Sequence, residues 1–171
     1  MPPEKELVGK VALITGAAGG IGSATAKKFL SEGCCVILTD IDKKSLNTKQ
    51  NELSELYGKD MVHSILMDVT NEQDVKRAVS KSINSFGGID ILVANAGFAS
   101  AALFEKTSSK LWDKNMDILS KGCFLISREV YQKMIEQKNG GSIIFVSSKN
   151  SLNASKGCLL YTSPSPRDVI Q

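Results

Sequence analysis

A single histidine, His63, and four cysteines in 171 residues leave little material for metal or thiol chemistry. Cys34 and Cys35 are adjacent, Cys123 stands alone and Cys158 lies far along the chain, so there is no Cys-x-x-Cys pair. Zinc coordination and a Cys–His nucleophile are therefore disfavoured, and reduced, mostly buried cysteines are expected. Basic runs are missing too. The 21 Lys and Arg residues against 18 Asp and Glu give a formal charge of +3, scattered along the chain. Nucleic-acid and anionic-membrane sites need clustered cations, so neither partner is expected. No apolar stretch approaches a membrane span. The start, Met1 to Glu6, lacks the apolar core of a secretion signal, which leaves the cytoplasm as the default compartment.

What the chain does have is an ordinary globular balance, 42% hydrophobic and 23% charged, at a length that suits one domain. Short apolar runs alternate with amphipathic segments. Val11 to Thr15, Val36 to Thr39, Val62 to Met67, Ile89 to Ala94 and Ser142 to Val146 read as strands. Between them, Ile21 to Leu30, Lys43 to Tyr57, Asn71 to Phe86 and about Leu111 to Gln137 read as helices, with Gly33, Gly58, Gly87 and Gly140 as stops. Leu46, Leu53 and Leu56 are expected on one side of the second helix, and Val75, Ala78, Val79 and Ile83 on one side of the third. Strands this apolar need covering on both faces. The expected class is α/β, a Rossmann-type doubly wound parallel sheet that breaks off after the fifth strand.

The first strand runs into Thr15-Gly16-Ala17-Ala18-Gly19-Gly20-Ile21-Gly22 and then a helix. Glycine lets the backbone approach a pyrophosphate and the crossing helix, and the helix N-terminus offers free N–H groups and partial positive charge. Gly16, Gly20, Ile21 and Gly22 are the candidate phosphate-binding positions. Asp40 closes the second strand, 18 positions after Gly22. A carboxylate there can accept from both adenosine ribose hydroxyls and would repel a 2′-phosphate, which favours NAD over NADP. The alternative for Asp40 is a solvated strand-end carboxylate or a turn former.

The spacing T-G-x-x-x-G-x-G resembles the short-chain dehydrogenase/reductase family. The resemblance continues through Asp68-Val69-Thr70 and through Asn95-Ala96-Gly97, and covers residues 9 to about 156. It implies that Asp68 and Val69 lie near the adenine and that Asn95, Ala96 and Gly97 border the cofactor. Taken alone, Asp68 could equally be a cap or turn residue, and Asn95 a loop residue. Met116-Asp117-Ile118-Leu119, Ser127-Arg128-Glu129 and Ser147-Ser148-Lys149-Asn150 further resemble the dehydrogenase module of bifunctional rhamnulose-1-phosphate aldolase/lactaldehyde (alcohol) dehydrogenases. That likeness implies a preceding aldolase module. Sugar-phosphate and polyol-phosphate dehydrogenases share the Ser148-Lys149 pair and are the second reading.

The family's chemistry implies a serine that holds the substrate oxygen and a tyrosine whose pKa is lowered by a lysine four residues later. Ser148 matches the serine; its alternative is a strand-end cap. The family's helix asparagine falls on Leu119, which cannot hold a relay water. Asn115 lies four residues earlier and would share its helical face, although a polar surface position is the simpler expectation. Tyr161 stands 13 residues after Ser148, but Ser165 occupies the lysine position, between Pro164 and Pro166.

Cys158 to Asp168 can be back-translated into the transposon end and adapter of sequencing libraries. We accordingly read 1–157 as an incomplete NAD-binding dehydrogenase domain and 158–171 as a non-native tail; a Ser/Pro-rich natural terminus is the alternative. The parent is expected to be an NAD-dependent oxidoreductase acting on a small alcohol or hydrated aldehyde such as lactaldehyde. It is also expected to be a homo-oligomer with a small-molecule substrate, and a non-catalytic dinucleotide-binding protein is the competing class. The 171-residue chain itself is expected to lack turnover, and Ile143 to Val146 to form an open, apolar sheet edge.

Overall fold

Five strands, of which the first, second and fourth are the most deeply buried, form one parallel sheet in a computed structural model that describes residues 5–98 and 104–148. In chain order the elements are β1 (Val11–Thr15), α1 (Gly20–Ser31), β2 (Cys35–Asp40), α2 (Lys43–Tyr57), β3 (Val62–Leu66), α3 (Glu72–Phe86), β4 (Ile91–Ala94), α4 (Ser109–Met116), a π-helical segment (Asp117–Gly122), α5 (Cys123–Gln137) and β5 (Ser142–Phe145). The strand order is β3-β2-β1-β4-β5. The chain thus builds outward from β1 to β3, then crosses back to place β4 on the other side of β1. That reversal opens a crevice at the carboxyl ends of β1 and β4, where doubly wound sheets bind ligands.

Alternate side chains of the same strands build two cores. Leu13, Ile37 and Leu92 pack with Val75, Ala78 and Val79 of α3 and with Ile126 and Val130 of α5. Ile14, Val36, Leu38 and Val93 pack on the other face with Ala26 and Leu30 of α1 and Leu46 and Leu53 of α2. Leu56 does not join them; it is exposed, because ten residues after Leu46 it has rotated off the buried stripe of α2. Ile83 is only partly buried against the first core. The described cysteines are free thiols, and of these only Cys34 is fully buried; Cys35 and Cys123 are partly covered.

Helix starts follow local chemistry. Asp42 caps α2 by accepting from Lys44 N and Ser45 N, and Asn71 caps α3 by accepting from Gln73 N and Asp74 N. Gly87, at φ 82°, ends α3 in the left-handed conformation. The long helix expected from Leu111 to Gln137 is broken in character by the wider turn at Asp117–Gly122. Gly122 is required there: a Cβ would stand 2.8 Å from Val69 Cγ2.

β5 pairs with β4 alone among the described residues, in the register Leu92 with Ile143 and Val93 with Ile144. Two successive residues near its end, on opposite faces of the sheet, are exposed: Ile144 44% and Phe145 58%. The expected apolar edge is present.

Candidate functional site: the cleft at the carboxyl ends of β1 and β4

The turn after β1 is built around backbone approach. Gly16 has φ 63°, and a Cβ on it would lie 3.0 Å from Ala96 Cα. At Gly22 a Cβ would overlap the Gly16 carbonyl and come within 2.8 Å of Ala17 Cα and 2.9 Å of Asn95 Nδ2. Gly20 differs. A Cβ there meets nothing within 4 Å, so its lack of a side chain serves the open space above the turn and not the packing below it.

Three N–H groups of the turn are used internally. Ala17 N donates to Thr39 O at 3.0 Å, Ala18 N to Asp40 Oδ2 at 3.0 Å and Gly19 N to Gly16 O at 3.2 Å. The next three, on Gly20, Ile21 and Gly22, open α1 and have no preceding helical carbonyl to bind. No side chain caps α1, whereas Asp42, Asn71 and Ser108 cap α2, α3 and α4. Its first turn also has no acidic residue. An uncapped N-terminus at a sheet's carboxyl edge, with clear space in front, is a cradle for an anion.

A cleft of about 1030 Å³ extends from that cradle. It is lined by Gly16, Gly20 and Ile21, by Asp40 and Ile41 after β2, by Asp68 and Val69 after β3, and by Asn95, Ala96 and Gly97 after β4. Gly22 lies beneath, holding the turn against Asn95. Asp40 Oδ1 also accepts from Asp42 N at 3.0 Å, so Asp40 is a turn former as well as a wall of the cleft. Asp68 is likewise a turn former: its Oδ1 accepts from Thr70 N at 2.9 Å and Thr70 Oγ1 at 2.8 Å. Asn95 Nδ2 donates to Thr15 O and Gly16 O, joining the loop after β4 to the glycine turn.

The reaction end is less complete. Ser148 follows β5, partly buried, and is not among the residues lining the large cleft. Lys149, Tyr161, Ser165 and the 158–171 segment lie outside the described residues. Leu119 lines a small cavity of about 60 Å³ with Cys123, Ile126, Phe145 and Val146. Asn115 does not reach it. It is fully buried, contrary to the surface position expected, and donates Nδ2 to Leu111 O at 2.7 Å. Its side-chain amide is turned back along α4 to Leu111 O, away from the cavity that Leu119 lines.

Several lining residues carried no motif in the sequence. Thr15 was visible only as the first letter of the glycine motif, yet its buried hydroxyl accepts from both Asn95 N and Ala96 N at 2.9 Å. Phe98, Lys110 and Lys114 also border the cleft, with Lys114 Nζ 4.1 Å from the Phe98 ring centroid. Their only sequence signal was the helical spacing of Lys110 and Lys114.

Comparison with known proteins agrees with this geometry. Residues 10–164 match the family described as short chain dehydrogenase. The uncharacterized oxidoreductase YuxG of Bacillus subtilis is 46% identical over 95% of this chain, an alignment that spans 24% of that protein. The 3-oxoacyl-[acyl-carrier-protein] reductase FabG of Thermotoga maritima is 40% identical over 92% of this chain and 63% of its own length. An NAD+-bound xylitol dehydrogenase has a TM-score of 0.86 at 32% identity, covering 92% of this chain and 60% of that one. The chain therefore spans less than two thirds of the length of these relatives.

Proposed function

Because the chain belongs to the short-chain dehydrogenase family, we propose that it is the cofactor-binding part of an NAD-dependent oxidoreductase acting on a small alcohol or hydrated aldehyde. The observation that carries this reading is the uncapped N-terminus of α1 facing open space, with Asp40 on the adjoining wall. The residues fit a dinucleotide. The N–H groups of Gly20, Ile21 and Gly22 would hold its pyrophosphate, Asp40 the adenosine ribose hydroxyls, and Asp68 with Val69 the adenine. Asn95, Ala96 and Gly97 would border the rest of the cofactor, and Ser148 would hold the substrate oxygen.

When bound, the nicotinamide supplies the acceptor or donor of a hydride. The chain's own contribution is to bind and orient. Asp40 brings a negative charge to the ribose wall, which favours two hydroxyls over a 2′-phosphate. The family's proton-transfer pair, a tyrosine with a lysine four residues later, is not matched by Tyr161 and Ser165. We accordingly propose that residues 158–171 are non-native and that the 171-residue chain has no turnover.

For the substrate, lactaldehyde is the leading candidate, on the Asp117-Ile118-Leu119 and Ser147 to Asn150 likenesses. The same likenesses carry the proposal of an aldolase module in the parent; YuxG is a longer relative, 24% of which the alignment occupies. The second reading is a sugar phosphate or polyol phosphate; the xylitol dehydrogenase likeness adds an unphosphorylated polyol to the substrates worth assaying. The test is to recover the uninterrupted gene and assay NAD reduction with lactaldehyde beside polyols and polyol phosphates. Preference for a polyol phosphate would replace the first reading with the second.

A further inference from the structure

Asp40 does more in this structure than form a wall. Both of its carboxylate oxygens are engaged by backbone N–H groups from two different turns. Oδ2 accepts from Ala18 N at 3.0 Å, inside the glycine turn, and Oδ1 accepts from Asp42 N at 3.0 Å, at the entrance to α2. Ala17 N is tied to the same strand end through Thr39 O at 3.0 Å. The middle of the turn is therefore strapped to the end of β2 by two successive N–H groups, one on a backbone carbonyl and one on a charged side chain.

The consequence falls on the next residues. The turn must expose the N–H groups of Gly20, Ile21 and Gly22, and their direction is set by where Ala17 to Gly19 are held. Gly19 and Gly20 have no side chain to hold them, and no side chain caps α1. Without Asp40 the Ala18 N–H loses its acceptor and the turn loses its charge-assisted restraint. We infer that Asp40 is a positioning residue for the pyrophosphate cradle, acting through Ala18, in addition to its proposed contact with ribose. This rests on the dinucleotide reading above but makes a separate claim. The residue at position 40 sets affinity for the pyrophosphate itself, even in a ligand with no ribose hydroxyls.

The probe is 2′,3′-dideoxy-ADP, which keeps the pyrophosphate and adenine and lacks both hydroxyls. If Asp40 served only the ribose, Asp40→Ala would leave this ligand's affinity unchanged or raise it. As a positioning residue, its loss should weaken dideoxy-ADP about tenfold, the scale of one hydrogen bond to a charged group. Amide exchange at Ala18 should quicken by about the same factor while the urea midpoint of the whole chain moves little. Asp40→Asn keeps one acceptor oxygen, which can serve Ala18 N only if the amide NH2 turns toward Asp42 N, and it removes the charge. It should therefore weaken dideoxy-ADP clearly less than Asp40→Ala does, while discrimination against NADP falls because the repulsion is gone. The inference is overturned if Asp40→Ala binds dideoxy-ADP as tightly as the parent, or if Asp40→Asn weakens it as much as Asp40→Ala does. Should Asp40→Ala not fold, Asp40→Asn decides alone: dideoxy-ADP affinity and exchange at Ala18 changing together, or both staying parental, supports the role, and a change in one without the other refutes it. Equal binding of NAD and NADP by the unmutated chain would instead overturn the NAD reading and leave this arm untouched.

Discussion

Thr15 and Asn95, 80 residues apart in the chain, grip each other from both sides: Thr15 Oγ1 accepts from Asn95 N and Thr15 O accepts from Asn95 Nδ2, each at 2.9 Å. Thr15 Oγ1 also accepts from Ala96 N at 2.9 Å. The pair locks the ends of β1 and β4 together at the point where the strand order reverses. Thr15→Val keeps the shape and removes the acceptor, leaving two N–H groups without it. It should lower stability by about 2–4 kcal/mol and weaken NAD, whereas Thr15→Ser should cost less than about 1 kcal/mol. Urea midpoints of the two variants check this, and equal midpoints would remove Thr15 from the account.

The glycines separate packing from binding. Gly22→Ala forces a Cβ against the Gly16 carbonyl and Ala17 Cα, and should cost about 1–3 kcal/mol with loss of dinucleotide binding. Gly20→Ala meets open space in the first turn of α1 and should leave stability unchanged or raised by up to about 1 kcal/mol. Its methyl group would nevertheless occupy the cradle, so NAD affinity should fall at least about tenfold, equivalent to about 1.4 kcal/mol. A Gly20→Ala chain that melts early yet binds normally would reverse the assignment.

These positions show which parts of the molecule were legible in the sequence. Strand periods and glycine stops are local signals, and β1 and α2 have the boundaries expected from them. The glycine turn and Asp40 lie close together in sequence and announce one site. The hydroxyl of Thr15 reads as a strand residue until β4 is placed beside β1. Asn115 reads as a polar surface residue because its type favours solvent, whereas in the fold it is the buried residue of α4, its amide donating to Leu111 O. Leu56 failed for a simpler reason, since ten residues do not return to the same face of a helix.

Burial raises the Cys34 thiol from its ordinary 9.0 to about 12, and burial raises Cys35 and Cys123 as well. A folded pKa above the unfolded one means that the native state holds its proton longer. The stabilisation is therefore complete below about pH 9 and is lost as pH rises toward 12. Urea midpoints at pH 8 and pH 10.5 should fall further for the parent chain than for Cys34→Ala. At pH 8 iodoacetamide should spare Cys34 in the folded chain and label it once urea is added. Rapid labelling of the folded chain would contradict its burial.

Among the described residues no strand pairs with the far edge of β5, where Ile144 and Phe145 are exposed. Such an edge is a template for pairing with other chains. The 171-residue chain should therefore associate with increasing concentration in light scattering, and Phe145→Lys should suppress the effect. Monodisperse behaviour of the parent across the same range would show that the edge is protected.

On the proposed reading, the turn after β1 and the carboxylate at the end of β2 together select NAD. Calorimetric titration of the chain with NAD and NADP under identical salt tests it most directly. The account predicts NAD binding at least about tenfold tighter, a difference of about 1.4 kcal/mol, with the gap closing in Asp40→Asn. Equal affinities for the two dinucleotides, or tighter binding of NADP, would contradict it.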